Sequence, residues 1–381
     1  MFAAALSLAV PQTANAPGVR LNRWRLEAPV AAMAFTRDAA HAAFALHDGT
    51  VRLVPLRQFD ARKMAAAVLH QGPARALCAD CGDSALLSAG ADGRVVSVDS
   101  DGFAAELIDR PCAAPGDIAA IAAVASPDGI RWRAVADGGA VDLFDTRAGR
   151  RRLEPEVGAV TGLAFRADGR RLAVSGNEGL AVFSLDRGAV APLPPKPAGA
   201  TRRPTRRPLW SPRGDRLAAI GRHDRVACWT LGDGNLSGEP ATLGKARDLA
   251  WSARGRYLVG AGARALVAWP IIAAGPVAVG AKRPRAASRW GQPSLFGQTS
   301  GRVVGAVAGH PTHELAAAGY DDGGITLADL GQGREMMIKH ADASAITALA
   351  WSPAGDFLAA ANDDNEALLF DFTTLTRRAP R

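Results

Sequence analysis

The feature that most constrains this chain is a short pattern of strands and turns that recurs eight times. In each copy an apolar strand ends in a turn such as Ser126-Pro127-Asp128-Gly129. A second apolar strand then leads to an acidic-Gly turn such as Asp92-Gly93, and a third strand follows. The clearest copies span residues 163–185, 209–231, 249–270 and 348–372. One copy has too little core to fold alone, so the copies must stack side by side.

The period of the repeat follows from its inner turns. Equivalent turn positions are Gly49, Gly93, Gly139, Gly179, Asp224, Arg264, Gly323 and Asn365, which are 44, 46, 40, 45, 40, 59 and 42 residues apart. A blade of four strands needs about 40–45 residues. The strands are short apolar runs bounded by Gly, Pro, Asp and Asn, without helical periodicity. We therefore predict an all-β closed β-propeller, with eight blades of four antiparallel strands and seven blades as the alternative.

Three runs carry a family resemblance. They are Leu349-Ala350-Trp351-Ser352-Pro353-Ala354-Gly355-Asp356-Phe357-Leu358, Leu86-Leu87-Ser88-Ala89-Gly90-Ala91-Asp92-Gly93-Arg94-Val95 and Phe165-Arg166-Ala167-Asp168-Gly169-Arg170-Arg171-Leu172-Ala173. The chain resembles a degenerate member of the WD40-repeat family over roughly residues 29–372, of the stand-alone bacterial kind. The Trp that closes a strong repeat remains only as Trp229 and Trp269, and His70 and His340 are the nearest remnants of its Gly-His pair. We therefore expect apolar packing between blades to contribute more stability than the polar network of strong repeats.

The two ends of the chain fit a closed ring. The last copy stops after its third strand near residue 372, and an unassigned strand-like run lies at 19–26. The family resemblance implies that this N-terminal strand completes the last blade, and closure pairs the edges that an open array would expose. The predicted organisation is a flexible segment over 1–17, the propeller over 18–372 with an insertion at about 271–302, and a tail over 373–381.

Charge and cysteine content narrow the function classes. The formal net charge is +8, and lysine occurs only at positions 63, 196, 245, 282 and 339, so arginine supplies most of the positive charge. Such a bias beside abundant alanine is also typical of GC-rich coding, so nucleic-acid binding is an alternative that is not favoured. The run Cys78-Ala79-Asp80-Cys81 has the spacing of a metal or redox pair, but the sequence contains no second pair. We predict small buried cysteines, with no metal and no cofactor.

The N-terminus bears on localisation. Residues 2–10 are apolar and Ala14-Asn15-Ala16 is similar to a cleavage site, but Pro11 cuts the apolar run short and no positive residue precedes it. We predict a cytoplasmic protein, with a secreted or periplasmic one as the alternative. No other stretch approaches the ~20 apolar residues of a membrane span, so no membrane partner is expected.

Two segments depart from the blade pattern and are the candidate functional regions. The first is the run 201–207, expected in the connection between blades four and five, with more arginines in the next turn. The second is the insertion, where two aromatic residues in a polar loop are typical of interaction anchors, although Trp290 has covering the sixth blade as an alternative role. Arginine clusters bind carboxylate or phosphate groups bidentately, and a solvated basic loop is the alternative. The candidate partner-binding residues are Arg202, Arg203, Arg206, Arg207, Arg222, Arg225, Arg283, Arg285, Arg289, Trp290 and Phe296.

No residue order in the sequence points to catalysis. His310 and His313 lie three apart beside Glu314, but no third ligand for a metal is evident. The resemblance implies a non-catalytic, monomeric scaffold that binds a protein partner through one propeller face and the arginine-bearing loops. The alternatives are a propeller enzyme or small-ligand binder that uses the axial pocket, and RNA or DNA binding through the arginine patches. Similarity of residues 303–372 to stand-alone bacterial WD40 proteins makes a metal-homeostasis GTPase one candidate partner.

Overall fold

The structure is a computed structural model that describes residues 18–56, 64–99, 105–109, 118–126, 129, 131–145, 149–186, 189–192, 203–232, 235–272, 289–297 and 301–376. These residues form eight antiparallel sheets arranged as blades in a ring. The prediction of an all-β propeller with eight blades is confirmed, which excludes the alternative of seven.

Blades one to four each follow the chain order without interruption. Strand β1 (Arg20–Arg25) belongs to the last blade, and blade one contains β2 (Val30–Phe35), β3 (His41–Leu46), β4 (Thr50–Pro55) and β5 (Ala65–Val68). Blade two contains β6 (Ala74–Ala79), β7 (Ala85–Gly90), β8 (Val95–Asp99) and β9 (Ala105–Asp109). Blades three and four contain β10 (Ile118–Ala125), β11 (Arg131–Asp137), β12 (Ala140–Asp145), β13 (Gly149–Leu153), β14 (Val160–Phe165), β15 (Arg171–Gly176), β16 (Leu180–Asp186) and β17 (Ala189–Pro192).

Blades five to eight complete the ring, and two of them depart from the simple chain order. Blade five contains β18 (Thr205–Trp210), β19 (Arg216–Gly221), β20 (Arg225–Gly232) and β21 (Asn235–Lys245), with a single 3-10 turn at Arg222–Asp224. Blade six contains β22 (Asp248–Trp251), β23 (Tyr257–Ala261), β24 (Leu266–Ile272), β25 (Arg289–Trp290) and β26 (Ser294–Phe296). Blades seven and eight contain β27 (Val304–Gly309), β28 (Leu315–Tyr320), β29 (Ile325–Asp329), β30 (Arg334–Lys339), β31 (Ile346–Trp351), β32 (Phe357–Asn362), β33 (Glu366–Asp371) and the N-terminal strand β1 (Arg20–Arg25).

The first strand of each blade lies nearest the axis, because the contacts between neighbouring blades join first strands to one another. The outermost strand of blade six is split, since β25 and β26 both pair with β24. The insertion therefore supplies the outer edge of blade six, as its position in the sequence requires. Its residues 273–288 lie outside the described part of the chain.

Ring closure comes from the N-terminal strand. β1 pairs antiparallel with β33, from Arg20 opposite Asp371 to Arg25 opposite Glu366. The N–H of Leu26 extends the ladder to the carbonyl of Asn365 at 2.8 Å. A short helix α1 (Thr373–Thr376) follows β33, and Leu375 packs against the start of β1. The strand that the family resemblance implied for the last blade is thus in place.

The core is apolar and lies mainly between blades. Leu26, Phe35 and Phe44 pack against Phe357 and Leu369, so blades eight and one share a single cluster. The buried second strands are rich in alanine, whose small side chain lets neighbouring sheets approach closely. Apolar burial of this kind contributes about 25 cal/mol per Å². Apolar side chains therefore fill the space between neighbouring blades, and their share of the stability relative to the polar network stays a prediction.

Three tryptophans at the end of first strands link consecutive blades by a hydrogen bond. The indole N–H of Trp210 donates to the carbonyl of Ala164 at 3.1 Å, on the first strand of the preceding blade. Trp251 donates to Leu209 at 3.2 Å, and Trp351 donates to a carbonyl of blade seven at 3.3 Å. A buried carbonyl without a hydrogen-bond partner costs free energy of folding. Each indole therefore packs in the core and also provides the hydrogen bond that the carbonyl of the preceding blade needs.

Removing residues 1–27 is expected to prevent closure. The deletion takes away β1 and Leu26, which leaves the edge of β33 unpaired and opens the cluster shared by blades eight and one. Exposed edge strands promote aggregation. We expect an insoluble chain, measured by the soluble fraction on expression. Deletion of residues 1–17 alone is the control, and a soluble, cooperatively melting chain without 1–27 would contradict the role of β1.

The Trp251→Phe substitution tests the link between blades five and six. It removes the N–H that satisfies the carbonyl of Leu209, so we expect a loss of about 1–3 kcal/mol in the free energy of unfolding, measured by denaturant titration. Trp290→Phe is the matched control, because Trp290 stacks on Trp251 with ring centroids 6.4 Å apart and its N–H has no hydrogen-bond partner among the described residues. Equal losses in the two variants would assign the effect to ring packing alone.

Candidate functional site

Two sets of loops meet on one side of the ring, which we call the upper face. They are the turns between the second and third strands and the segments that lead into the next first strand. The N–H of Ala246 donates to the carbonyl of Asp224 at 2.8 Å, and the N–H of Leu69 donates to that of Gly49 at 3.0 Å. The turns between first and second strands lie on the opposite side, the lower face. The run 201–207 and the turn 222–225 therefore approach the same face.

The first strand of blade five begins earlier in the sequence than expected. Arg206 and Arg207 were expected in the connection between blades four and five, but β18 begins at Thr205 and includes both. A β-bulge follows Arg206, and Arg207 adopts a positive φ of 54° immediately before Pro208. Gly162 of blade four leaves room for this bulge, since a Cβ there would lie 2.7 Å from the Pro208 ring. The bulge turns the two arginines out of the sheet at the upper face.

Arg206 shares a carboxylate with an arginine of the next blade. Its Nη2 donates to Asp224 Oδ1 at 2.8 Å, and its Nη1 donates to the carbonyl of Arg247 at 3.2 Å. The guanidinium of Arg247 lies 3.8 Å from the other oxygen of Asp224. Since one carboxylate faces two guanidinium groups, the cluster keeps a net positive charge.

Arg207 links three blades. Its guanidinium forms an ion pair with Asp248 on the first strand of blade six. The second oxygen of Asp248 accepts a hydrogen bond from the N–H of Val307 in blade seven at 3.0 Å. The charge of Arg207 is therefore balanced within the ring, and its contacts hold neighbouring first strands together.

Five cations on this part of the upper face have no side-chain hydrogen bond or ion pair to another described residue. They are Arg203, Arg222, Arg225, Lys245 and Arg264. Arg225 and Lys245 stand directly opposite each other on β20 and β21. Like charges in such cross-strand pairs repel each other.

We define the basic sector as the charged upper-face residues of blades five and six. Its members are Arg203, Arg206, Arg207, Arg222, Arg225, Lys245, Arg247 and Arg264, together with Asp224 and Asp248. Lys245, Arg247 and Arg264 were not among the candidate residues predicted from the sequence. Arg264 occupies the same repeat position as Asp224, so the repeat alignment could have placed it on the upper face. Lys245 and Arg247 lie just before the first strand of blade six, and the sequence did not locate the start of that strand precisely.

The turn that carries Arg222 and Arg225 has an unusual backbone. His223 and Asp224 both have positive φ, at 59° and 61°. Blades one and seven place glycine at the equivalent turn, Gly49 and Gly323, because a left-handed conformation disfavours residues with a Cβ. The turn of blade five keeps this conformation without glycine, and it presents an arginine at each end.

The upper face changes sign at blades seven and eight. This acidic sector consists of Asp321, Asp322, Asp342, Asp363 and Asp364. Asp342 accepts from Lys339 at 2.7 Å and from Arg23 at 3.1 Å. Burial acts to raise the pKa of Asp342, but the hydrogen bond and charge of Lys339 outweigh it, and the pKa lies below its ordinary value. This carboxylate therefore stays ionised at neutral pH.

Both predicted aromatic anchors pack into the protein. Trp290 is half-buried against Trp251, so it covers blade six, which is the alternative that the sequence left open. Phe296 is 4% exposed within the cluster that joins blades six and seven. Burial removes Phe296 from the surface that a partner would contact.

The remaining candidates are distributed as follows. Arg202, Arg283 and Arg285 lie outside the described residues. Arg289 is described for its backbone, which pairs with Ile272 at the outer edge of blade six. Of the predicted arginines, the structure brings Arg203, Arg206, Arg207, Arg222 and Arg225 together on the upper face.

A serine, a histidine and an aspartate meet inside blade two. His70 Nε2 lies 2.8 Å from Ser88 Oγ, and its Nδ1 lies 3.2 Å from Asp92 Oδ1. His70 is 1% exposed and Ser88 is fully buried, so no substrate reaches the hydroxyl. Burial is the main cause that lowers the pKa of His70, against the opposing effect of Asp92. The trio holds the loop to the sheet, and it shows that this blade keeps a polar network that the weak signature had made doubtful.

The Cys78 and Cys81 pair is not activated. Burial raises the pKa of Cys78 to about 12 and that of Cys81 to about 11, so both thiols stay protonated at neutral pH. Cys81 Sγ donates to the carbonyl of Trp132 at 3.3 Å, while Asp80 between them binds Arg133. Within the described part of the chain, no group of three or more His, Cys, Asp or Glu side chains is placed to hold a metal ion.

The His310 and His313 pair supports the core of blades seven and eight. The ring of His310 lies 4.6 Å from that of Trp351, and its Nε2 lies 3.2 Å from the carbonyl oxygen of Gly355. Its Nδ1 accepts from the N–H of His313 at 3.1 Å. Burial is the largest effect and lowers the pKa of His310 to about 4. This histidine is therefore neutral at physiological pH.

The comparisons with known proteins agree with this architecture. Residues 334–371 match the family described as WD domain, G-beta repeat. This stretch therefore resembles a WD40 repeat, within a chain that folds as an eight-bladed β-propeller. The matched stretch contains the last strand of blade seven and most of blade eight.

Two solved structures share the fold. The β-propeller domain of Cps50 (Swd1) from Myceliophteria thermophila is 16% identical, with 92% of this chain and 99% of that chain covered and a TM-score of 0.56. The C-terminal WD40 domain of Sif2 is 11% identical, with 92% and 98% covered and a TM-score of 0.65. A comparison with curated protein sequences found no match. Among the described residues, no helix has the length and apolar character to cross a membrane.

Acidification is expected to destabilise this β-propeller through His310. The unfolded chain binds a proton at this position near pH 6.5, whereas the folded chain binds it only near pH 4. The contribution of His310 to the free energy of unfolding is therefore complete above pH 6.5. It falls by about 3 kcal/mol as the pH drops toward 4. Denaturant titrations at several pH values measure the slope.

His310→Gln removes the titrating group and is expected to flatten the pH dependence between 6.5 and 4. His47→Gln, at an exposed turn on the upper face, is the control and should keep the slope of the parent chain. An unchanged slope in His310→Gln would show that other groups cause the acid sensitivity.

Proposed function

We propose that this chain is a non-catalytic scaffold that binds a protein partner through the upper face of its propeller. WD40 propellers generally act as protein-interaction scaffolds. The observation that carries the proposal is a set of five exposed cations on blades five and six that have no side-chain partner among the described residues. Charged groups left unpaired on a rigid surface are available to a partner, and their arrangement is fixed before binding.

The charge pattern of the upper face supports the same choice. A basic sector on blades five and six lies beside an acidic sector on blades seven and eight. Opposite potentials on one face orient an incoming protein and reject partners with the wrong charge order. Arg203, Arg222 and Arg225 remain the candidate contact residues, whereas Trp290 and Phe296 serve the packing of blade six.

The enzyme alternative has less support among the described residues. The arrangement that most resembles a catalytic triad is His70 with Ser88 and Asp92, and it is buried inside blade two. The metal-homeostasis GTPase stays a prediction, as do the cytoplasmic location and the monomeric state.

Site-specific photo-crosslinking tests the proposal. A photoreactive phenylalanine replaces His223 on the upper face, or Arg213 on the lower face of the same blade, and the full chain is exposed to lysate of its native cell. We expect one protein to be joined through position 223 and not through 213. The identified protein is then purified, and its binding to the unlabelled chain is measured directly.

Two outcomes would contradict the proposal. Crosslinks that form equally at 213 and 223 would mean that the upper face is not selective. A captured protein that fails to bind the purified chain would mean that the crosslink reports only proximity.

A further inference from the structure

We infer that the basic sector binds a short, acidic, extended peptide segment of the partner, through carboxylate side chains. This inference rests on the proposed function and specifies the chemistry of the partner that the upper face takes. It concerns the cations of blades five and six for which the described part of the chain supplies no counter-ion.

The charge balance of the basic sector is the first argument. Among the described residues of this sector, eight cations face two carboxylates, Asp224 and Asp248. Asp248 is engaged by Arg207 and by a backbone N–H of blade seven. Asp224 is shared between Arg206 and Arg247. The excess positive charge therefore has no counter-ion within this part of the protein.

The opposed pair Arg225 and Lys245 is the second argument. These residues are direct partners across β20 and β21, so their side chains leave the sheet on the same side. The repulsion between them costs stability in the free protein. A carboxylate placed between the two relieves that repulsion, which is a gain in addition to its own attraction to each cation.

The type of cation points to planar anions. Four of the five unpaired groups are arginines, whose guanidinium binds a carboxylate with two parallel hydrogen bonds. In an extended peptide, alternate side chains lie about 7 Å apart on one side of the chain. A segment with acidic residues at alternate positions therefore presents several carboxylates to one surface.

The neighbouring acidic sector limits what else can bind. A nucleic-acid strand needs a basic track that continues along its phosphates and aromatic side chains on which bases stack. Here the track meets Asp321, Asp322 and Asp342 at blade seven. Of the tryptophans of blades five and six, four are buried in the core (Trp210, Trp229, Trp251 and Trp269), and Trp290 is half-buried at the outer edge of blade six against Trp251. The surface thus favours a short acidic peptide over RNA or DNA.

Fluorescence anisotropy with defined probes tests the inference on the full chain. The probe is a fluorescein-labelled dodecapeptide of alternating Glu and Ser, and the comparison probes are a Lys and Ser dodecapeptide and a twelve-nucleotide oligouridylate. We expect the acidic peptide to bind most tightly, with an affinity that falls as salt is raised from 50 to about 200 mM because screening weakens exposed charge pairs.

Charge reversal locates the site. The double variant Arg222→Glu with Arg225→Glu is expected to weaken binding of the acidic peptide by about tenfold or more, because two attractive charge contacts become repulsive. The same variant should gain affinity for the Lys and Ser peptide, a change that unfolding does not produce. Arg213→Glu with Arg254→Glu is the matched control, with the same charge change in turns on the lower face of the same two blades. Its affinity for the acidic peptide should stay within about twofold of the parent chain, because those turns are remote from the basic sector.

Three results would overturn the inference. They are tighter binding of oligouridylate than of the acidic peptide, equal losses in the two double variants, and no binding of the acidic peptide at 50 mM salt. The crosslinking experiment tests the proposed function separately. If a partner crosslinks at position 223 and its binding does not depend on Arg222 and Arg225, the scaffold function is retained and the acidic segment is rejected.

Discussion

The antiparallel pairing of β1 with β33 is the constraint on which the rest of the structure depends. Each blade alone has four strands and little core, and its stability comes from clusters shared with its neighbours. A ring distributes that burial evenly and leaves no blade with an uncovered side. Because the closing strand lies at one end of the sequence and its partner at the other, the last blade forms only when the whole ring has assembled.

Polar contacts add specific links between blades that pack together through apolar side chains. The indole N–H groups of Trp210, Trp251 and Trp351 satisfy carbonyls of the preceding blades. Arg207 and Asp248 perform the same role nearer the upper face, across blades five to seven. These contacts join consecutive blades of the ring. They hold the first strands in fixed relative positions, which a binding surface composed of separate loops requires.

The division of the upper face into basic and acidic sectors depends on that rigidity. Asp342 is bound by Lys339 and by Arg23 from the closing strand, so the acidic sector is itself tied to closure. On the basic side, strain at His223 and Asp224 is retained in a turn where other blades use glycine. Strain of this kind persists only where surrounding structure determines the conformation. A preorganised charge pattern is the property that makes the face suitable for selective binding.

The sequence by itself determined the all-β repeat architecture and the order of the copies along the chain, and it favoured eight blades over the alternative of seven. The turn at Asp48-Gly49 needs a left-handed residue, and the same conformation recurs at Gly93, Asp224, Gly323 and Asn365. Their spacing was therefore readable without any contact between blades. The basic run 201–207 was also visible as a departure from the repeat.

The tertiary structure alone decided which of the candidate binding residues remain accessible to a partner. Arg207 pairs with Asp248 of the next blade, and Phe296 is buried between blades six and seven, although the sequence placed both in exposed loops. Lys245 joined the site because it faces Arg225 across two strands. Such pairings depend on strand register and on contacts between blades. Neither is encoded in a local run of residues, whereas the turns that define the repeat are.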